Sequence, residues 1–260
     1  MFRIANRLCT SAAQPLKKHA IAMAAARYHQ PAMLPYKPEN GLAPFLSPQS
    51  VDFLYNMRQI ELINNVNRLS EGTELESKTL MNVITDSALD PNKIPLTNNA
   101  SQAWNMDFFL QSLTDDPRPL RDDVRRTIAE HFGSFERFQE TFTQCALALF
   151  GNGWTWLVQS DNGQLSVMNT FNAGSPFTAI PSVKNAVPKA ASYSSINRTT
   201  SRRPFARLTP ILGLSMWQEA FLPDYGIDRE TYVSRFWDVV NWSVVNERLA
   251  NTRSGSRTDA

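Results

Sequence analysis

Apolar residues recur at spacings of three and four along much of this chain, a period that predicts helices with one buried face. Between 47 and 69, Val51, Leu54, Tyr55, Ile60, Leu62, Ile63 and Val66 form such a stripe, and Ser47 and Pro48 stand as N-cap and first helical residue. A second helix is predicted over 75–87, before a loop in which Asp90, Pro91 and Pro95 favour turns. Phe135, Phe138, Phe142, Ala146 and Phe150 line one face of a later helix that ends at Gly151. The pattern then changes. Residues 154–159 and 164–170, joined around Asp161, Asn162 and Gly163, read as a β-hairpin, and 208–216 as a third strand. Trp217 to Phe221 starts another helix, and the last, 229–249, has Tyr232, Phe236, Val239, Val240 and Val244 as its inner face. The tail 251–260 is polar and expected to be mobile.

Composition adds bounds. The 260 residues, 42 % of them apolar, supply a sizeable core for one large or two modest domains. No apolar run approaches the roughly 20 residues that a membrane-spanning helix needs, so no membrane partner is expected. Residues 1–38 carry Arg3, Arg7, Lys17, Lys18, Arg27 and Lys37 but no acidic residue, interspersed with Ala, Leu, Ile and Met. That is the make-up of a mitochondrial transit peptide, expected over 1–28 with cleavage near Arg27 and Tyr28; the other reading is a basic arm that stays on the protein. Taking the five basic residues of 1–28 from a net charge of +2 leaves −3, so the mature chain is not globally basic. Cys9 lies in the expected leader, which leaves Cys145 alone on an apolar helical face as a buried, inert thiol.

One segment departs from this balance. No acidic residue occurs between Asp161 and Glu219, and 182–208 carries Lys184, Lys189, Arg198, Arg202, Arg203 and Arg207 in a Ser/Thr/Pro-rich background. Removing those six charges from −3 puts the remainder near −9. One reading is a solvated, disordered loop. The other is an arm along an RNA backbone or an acidic partner, with Tyr193 or Phe205 stacking on a base. Other chemistry finds little support. The stretch GNGW at 151–154 lacks the spacing and lysine of a phosphate loop, Cys145 has no His partner by motif, and Asp115 with Asp116 or Asp122 with Asp123 suit helix starts.

Several motifs together resemble one family. Leu34, Pro35 and Tyr36 match its short opening L-P-Y strand; NNASQAWNMDFF at 98–109 matches N-N-A-A-Q-x-W-N-H-x-F-F; Phe132 to Val158 follows F-G-S-F and F-G-S-G-W-x-W-L-V. Asn172, Ala173, Gly174 and Pro176 match a turn, and Gly213, Leu214, Trp217, Ala220, Tyr225, Tyr232, Phe236, Trp237, Asn241 and Trp242 match the C-terminal signature. The chain thus resembles the iron/manganese superoxide dismutases over roughly 34–247, apart from the insertion. The resemblance implies an α+β fold: an N-terminal α-helical hairpin domain (34–114), then an α/β domain (118–250) with a small three-stranded antiparallel sheet. It also implies where metal ligands would lie, and there the chain has Leu54, Met106, Ser215 and Glu219. The gateway histidine maps to Arg58, the active-site tyrosine to Leu62, and Gln102 keeps the glutamine that bonds the metal-bound solvent, here expected to be a core amide with a new partner.

Loss of the ligands within an intact frame, with a leader, is similar to the superoxide-dismutase-like proteins of the fungal mitochondrial ribosome's small subunit. It implies a non-catalytic structural component without cofactor, in the mitochondrial matrix, contacting mitochondrial ribosomal proteins, a paralogous dismutase-like subunit and, peripherally, small-subunit rRNA. Arg58, Gln218, Glu219 and Leu222 are the implied subunit-interface residues, and Glu219 is expected to be hydrogen-bonded or ion-paired. A free mitochondrial pseudoenzyme that pairs with a dismutase and a metal enzyme with rearranged ligands remain as alternatives.

Overall fold

Ser47 caps the first helix of the computed structural model, which describes residues 28–178 and 208–255: its Oγ accepts the Ser50 N–H at 3.1 Å, and Pro48 takes the first turn. Helix α1 (Pro48–Asp52) passes through a π-helical stretch, Phe53–Gln59, into α2 (Ile60–Ser70). That stretch corrects the expected stripe. A π turn takes up more residues than 3.6, so the three/four spacing slips: Ile60 is 40 % exposed, whereas polar Gln59 is fully buried and donates from Nε2 to the Ala103 carbonyl at 2.9 Å. Helix α3 (Leu80–Ser87) is shorter than predicted because Thr79 caps it, and residues 71–78 form turns around Thr73 and Glu76. Helix α4 (Ile94–Gln111) begins early, with Pro95 in its first turn, where a missing N–H does no harm. Val66, Leu75, Val83, Ile84, Leu96 and Ala100 bury this side of the hairpin domain.

Residues 28–36 lie along that hairpin as irregular chain, and Leu34 to Tyr36 form no strand. Side chains hold them in place. Asn67 bonds both backbone groups of His29 (2.8 and 3.1 Å), Asp107 Oδ1 accepts the Ala32 N–H (3.2 Å), and the Tyr55 and Tyr36 hydroxyls donate to the carbonyls of Ala32 and Leu110.

The second half supplies α5 (Asp122–Phe132), α6 (Phe135–Ala148), β1 (Gly153–Gln159), β2 (Leu165–Phe171), β3 (Thr209–Ser215), α7 (Gln218–Tyr225), α8 (Arg229–Phe236) and α9 (Trp242–Gly255). The sheet order is β2-β1-β3, antiparallel throughout, as the sequence suggests. Strand β1 is central and buried along its whole length, and Pro210, which has no N–H to give a ladder, sits at a register shift between β1 and β3. Two further expectations fail. Leu149 leaves helical geometry while Arg229 Nη2 donates to the carbonyls of Ala146 and Leu149, so α6 stops at Ala148 and Phe150 is 93 % exposed rather than on its inner face. The last helix is broken: Asn241 N–H donates to Ser112 O and Thr114 N–H to Val239 O, which interrupts it between α8 and α9 and buries Val245 in place of Val244. Helix α9 then runs to Gly255, into the stretch expected to be tail. The expected leader, apart from Tyr28, and all six basic residues of the insertion lie outside the described residues.

Two predictions follow from this packing. A Cβ on Gly213 would meet Trp156 Cζ3 at 2.6 Å and Cε3 at 2.8 Å, and that indole is fully buried. Gly213→Ala should therefore lower stability by about 1–3 kcal/mol in a denaturant titration; an unchanged midpoint would mean the ring has room. Asp107 is pushed up to about 6, from 3.8, by burial, against the opposing bonds from Ala32 and Gln59. The folded state then holds this proton more tightly than the unfolded chain, so the contribution is full below pH ~4 and is lost as pH rises through about 6. Asp107→Asn should be near neutral at pH 4 and stabilising by roughly 1–2 kcal/mol at pH 7.5; an equal effect at both pH values would contradict it.

Candidate functional site

The four positions at which the family resemblance implies metal ligands come from four elements. The π-helical stretch supplies Leu54, α4 supplies Met106, the end of β3 supplies Ser215 and the first turn of α7 supplies Glu219. Neighbouring contacts draw these elements together. Trp154, opposite Ser215 in the sheet, donates from Nε1 to Gln102 Oε1 at 3.2 Å, one turn before Met106. Arg58, one turn after Leu54, meets Glu219 Oε1 from Nε at 3.2 Å.

Leu54, Met106 and Ser215 are all 0 % exposed. Leu54 and Met106 belong to the main apolar core, where two side chains without ionisable groups pack at little electrostatic cost. Ser215 is engaged locally: its carbonyl accepts the Tyr232 hydroxyl at 2.8 Å and its Oγ accepts the Trp217 N–H at 3.4 Å. Glu219 lies at the margin, its side chain 21 % exposed, and finds its partner within the same chain. Arg58 also bonds Glu61 at 2.7 Å. Burial alone would lower the Arg58 pKa, but the bonds and charges of Glu61 and Glu219 outweigh it and raise it.

This set does not fit an iron or manganese ion. Such ions take nitrogen and oxygen donors; Leu54 offers none, Met106 a soft thioether, Ser215 an occupied hydroxyl, and Glu219 a carboxylate neutralised by Arg58. Among the described residues no group of three or more His, Cys, Asp or Glu could hold a metal ion. His131 is exposed in the last helical turn of α5 with Nδ1 at 2.9 Å from Thr127 O, and Cys145 is half-buried with its thiol pushed up by burial.

Gln102 is the core amide the sequence suggests, with Trp154 as its partner, yet its Nε2 is buried with none. The same holds for Trp217 Nε1. Both residues wall a cavity of about 860 Å³, with Arg58 and Leu62 beside them. No single motif spans this cavity: its walls come from five separated stretches of chain, among them the NNASQ segment, the turn at 172–174 and Trp217. The implied interface residues share one surface: Gln218 is exposed, its N–H on Asn152 Oδ1, next to the Arg58–Glu219 pair, and Leu222 stands one turn further along α7, 43 % exposed.

Comparison with known proteins agrees with this frame. The family model described as "Iron/manganese superoxide dismutases, alpha-hairpin domain" matches residues 28–114, and that for the C-terminal domain matches 120–188 and 183–248. The chain is 32 % identical over 219 residues to superoxide dismutase [Fe] of Escherichia coli K12, covering 84 % of this chain and 96 % of that protein. It is likewise 32 % identical to superoxide dismutase [Fe] of Legionella pneumophila over 217 residues, 83 % and 96 % of the two chains. Small ribosomal subunit protein mS43 of Schizosaccharomyces pombe is 31 % identical over 235 residues, 84 % of each chain.

The donor set predicts the metal content. Full-length chain expressed with iron and manganese supplied, then purified and assayed by plasma mass spectrometry, should carry far less than one ion of either per molecule. A stoichiometric ion lost on Glu219→Gln would contradict the reading of the four positions.

Proposed function

Because the chain belongs to the iron/manganese superoxide dismutase family yet offers Leu54, Met106, Ser215 and Glu219 where an ion would be held, we propose that it is a non-catalytic structural component of the mitochondrial ribosome's small subunit. The donor set carries this reading: chemistry that cycles a metal between two oxidation states needs ligands that grip it in both, and these side chains do not supply them. The likeness to a small ribosomal subunit protein, as extensive as that to the bacterial enzymes, supports the direction of the change. Fold alone would not, since one scaffold hosts many functions.

In this reading residues 1–28 direct the chain to the matrix and are removed. The net charge of about −3 then suits a peripheral subunit held largely by protein contacts, because a protein clamped on phosphates would carry a larger positive excess. Contact with rRNA or an acidic neighbour falls to Lys184, Lys189, Arg198, Arg202, Arg203 and Arg207. The surface of Arg58, Gln218, Glu219 and Leu222 receives a paralogous dismutase-like subunit: Arg58 and Glu219 neutralise each other there, and Leu222 adds apolar area.

Gradient fractionation of a mitochondrial lysate tests the proposal. The chain should sediment with the small-subunit rRNA and shift with it when magnesium is withdrawn. Recovery only at the top of the gradient, as a free partner of a dismutase would behave, overturns it.

A further inference from the structure

The cavity of about 860 Å³ has walls that a scaffolding role does not require. Its volume falls within the roughly 300–1,000 Å³ of small-molecule sites. Arg58 is the charged residue among those lining it, and Glu61 and Glu219 already hold that guanidinium. The rest is aromatic, neutral and polar, or aliphatic, the last from Leu62, Ala88, Leu89 and Ala173. Phe171, 54 % exposed, Phe177 and Trp217 present ring surface. Asn98 and Asn172, both exposed, add amides that can each donate and accept, and Asn172 is held at a positive φ of 51°. Just behind this surface lie the two unpartnered buried donors, Gln102 Nε2 and Trp217 Nε1.

These walls discriminate among ligands. A small anion would find no free cation among the lining residues, and an aliphatic chain would leave the amides unmatched. A flat, uncharged ring edged with donors and acceptors satisfies both the rings and the amides. We propose that this cavity binds a single purine or pyrimidine base, stacked on Phe171 and read along its edge by Asn98 and Asn172. A free nucleotide and an unpaired nucleotide of an RNA strand present the same chemistry. The proposal goes beyond the ribosomal role and does not depend on it, since a free nucleotide would meet the same walls.

The test titrates the full chain with AMP, GMP, CMP and UMP by calorimetry, and with a labelled, unstructured RNA oligomer by fluorescence anisotropy. At least one should bind. Phe171→Ala should weaken that binding about tenfold and Phe171→Trp should restore it, the scale expected of base–aromatic stacking. Asn98→Ala should alter the order of preference among the four bases. Binding of the oligomer alone assigns the base to RNA, and binding of a mononucleotide assigns it to a free nucleotide. Absence of binding at millimolar concentration, or binding that Phe171→Ala leaves unchanged while circular dichroism shows the fold intact, overturns the proposal. The same variants run on the gradient separate the two readings: a chain that sediments normally but binds no base defeats this inference alone, and one that binds a base but stays at the top defeats only the ribosomal assignment.

Discussion

Two indole N–H groups on the central strand must find acceptors away from water, and much of the architecture follows from how they do so. A tryptophan can be fully buried only if its one donor is satisfied. Trp154 reaches Gln102 on α4, and Trp156 reaches Thr170 Oγ1 at 2.9 Å on β2, whose hydroxyl passes the bond on to Gly174 O. The first contact fixes the helical hairpin against the sheet, and the second fixes the turn that follows β2. Gly213 lies against the face of the same Trp156 ring, which sets how closely β3 approaches. Gln102 is therefore needed by the fold whether or not an ion lies nearby.

Three of the four positions at which the family resemblance implies metal ligands are packed here as ordinary core. Removing one imidazole from a metal site would leave the remaining donors buried and unmatched, at a cost of several kcal/mol for a charged group. Here the two deepest of those positions hold Leu54 and Met106, both apolar, so nothing is orphaned between them. The carboxylate of Glu219 lies where solvent reaches it, and Arg58 is its counterion. Their attraction is modest, roughly 0.2–1 kcal/mol for a pair this exposed. Its effect is to leave no isolated charge at the edge of the core.

Much of this was legible in the residues. Ser47 and Pro48 announce a helix start, and two short runs joined around Asp161, Asn162 and Gly163 announce a hairpin. What was not legible depends on partners distant in sequence. The π-helical stretch turns Gln59 inward, where its amide finds an acceptor in Ala103 O, 44 residues away. The break before Trp242 arises because Ser112 and Thr114 bond the backbone of Asn241 and Val239, and Phe150 lies outside α6 because Arg229 holds the carbonyls of Ala146 and Leu149 at its end. Periodicity reports which face of a regular helix is apolar and is silent about where a long-range hydrogen bond ends the regularity. The cavity was invisible for a related reason: its walls share a location and no spacing.

Strand β3 is an outer strand of the sheet among the described residues, and little of it is open to another chain. Only Thr209 of the strand is exposed, Pro210 has no N–H to offer, and Arg248 Nη1 occupies the Ile211 carbonyl at 3.1 Å. Exposed outer strands are where unrelated chains add on and begin to aggregate. Such an edge offers no template to a stray strand, so the folded chain can stand alone at high concentration without recruiting copies of itself through its sheet.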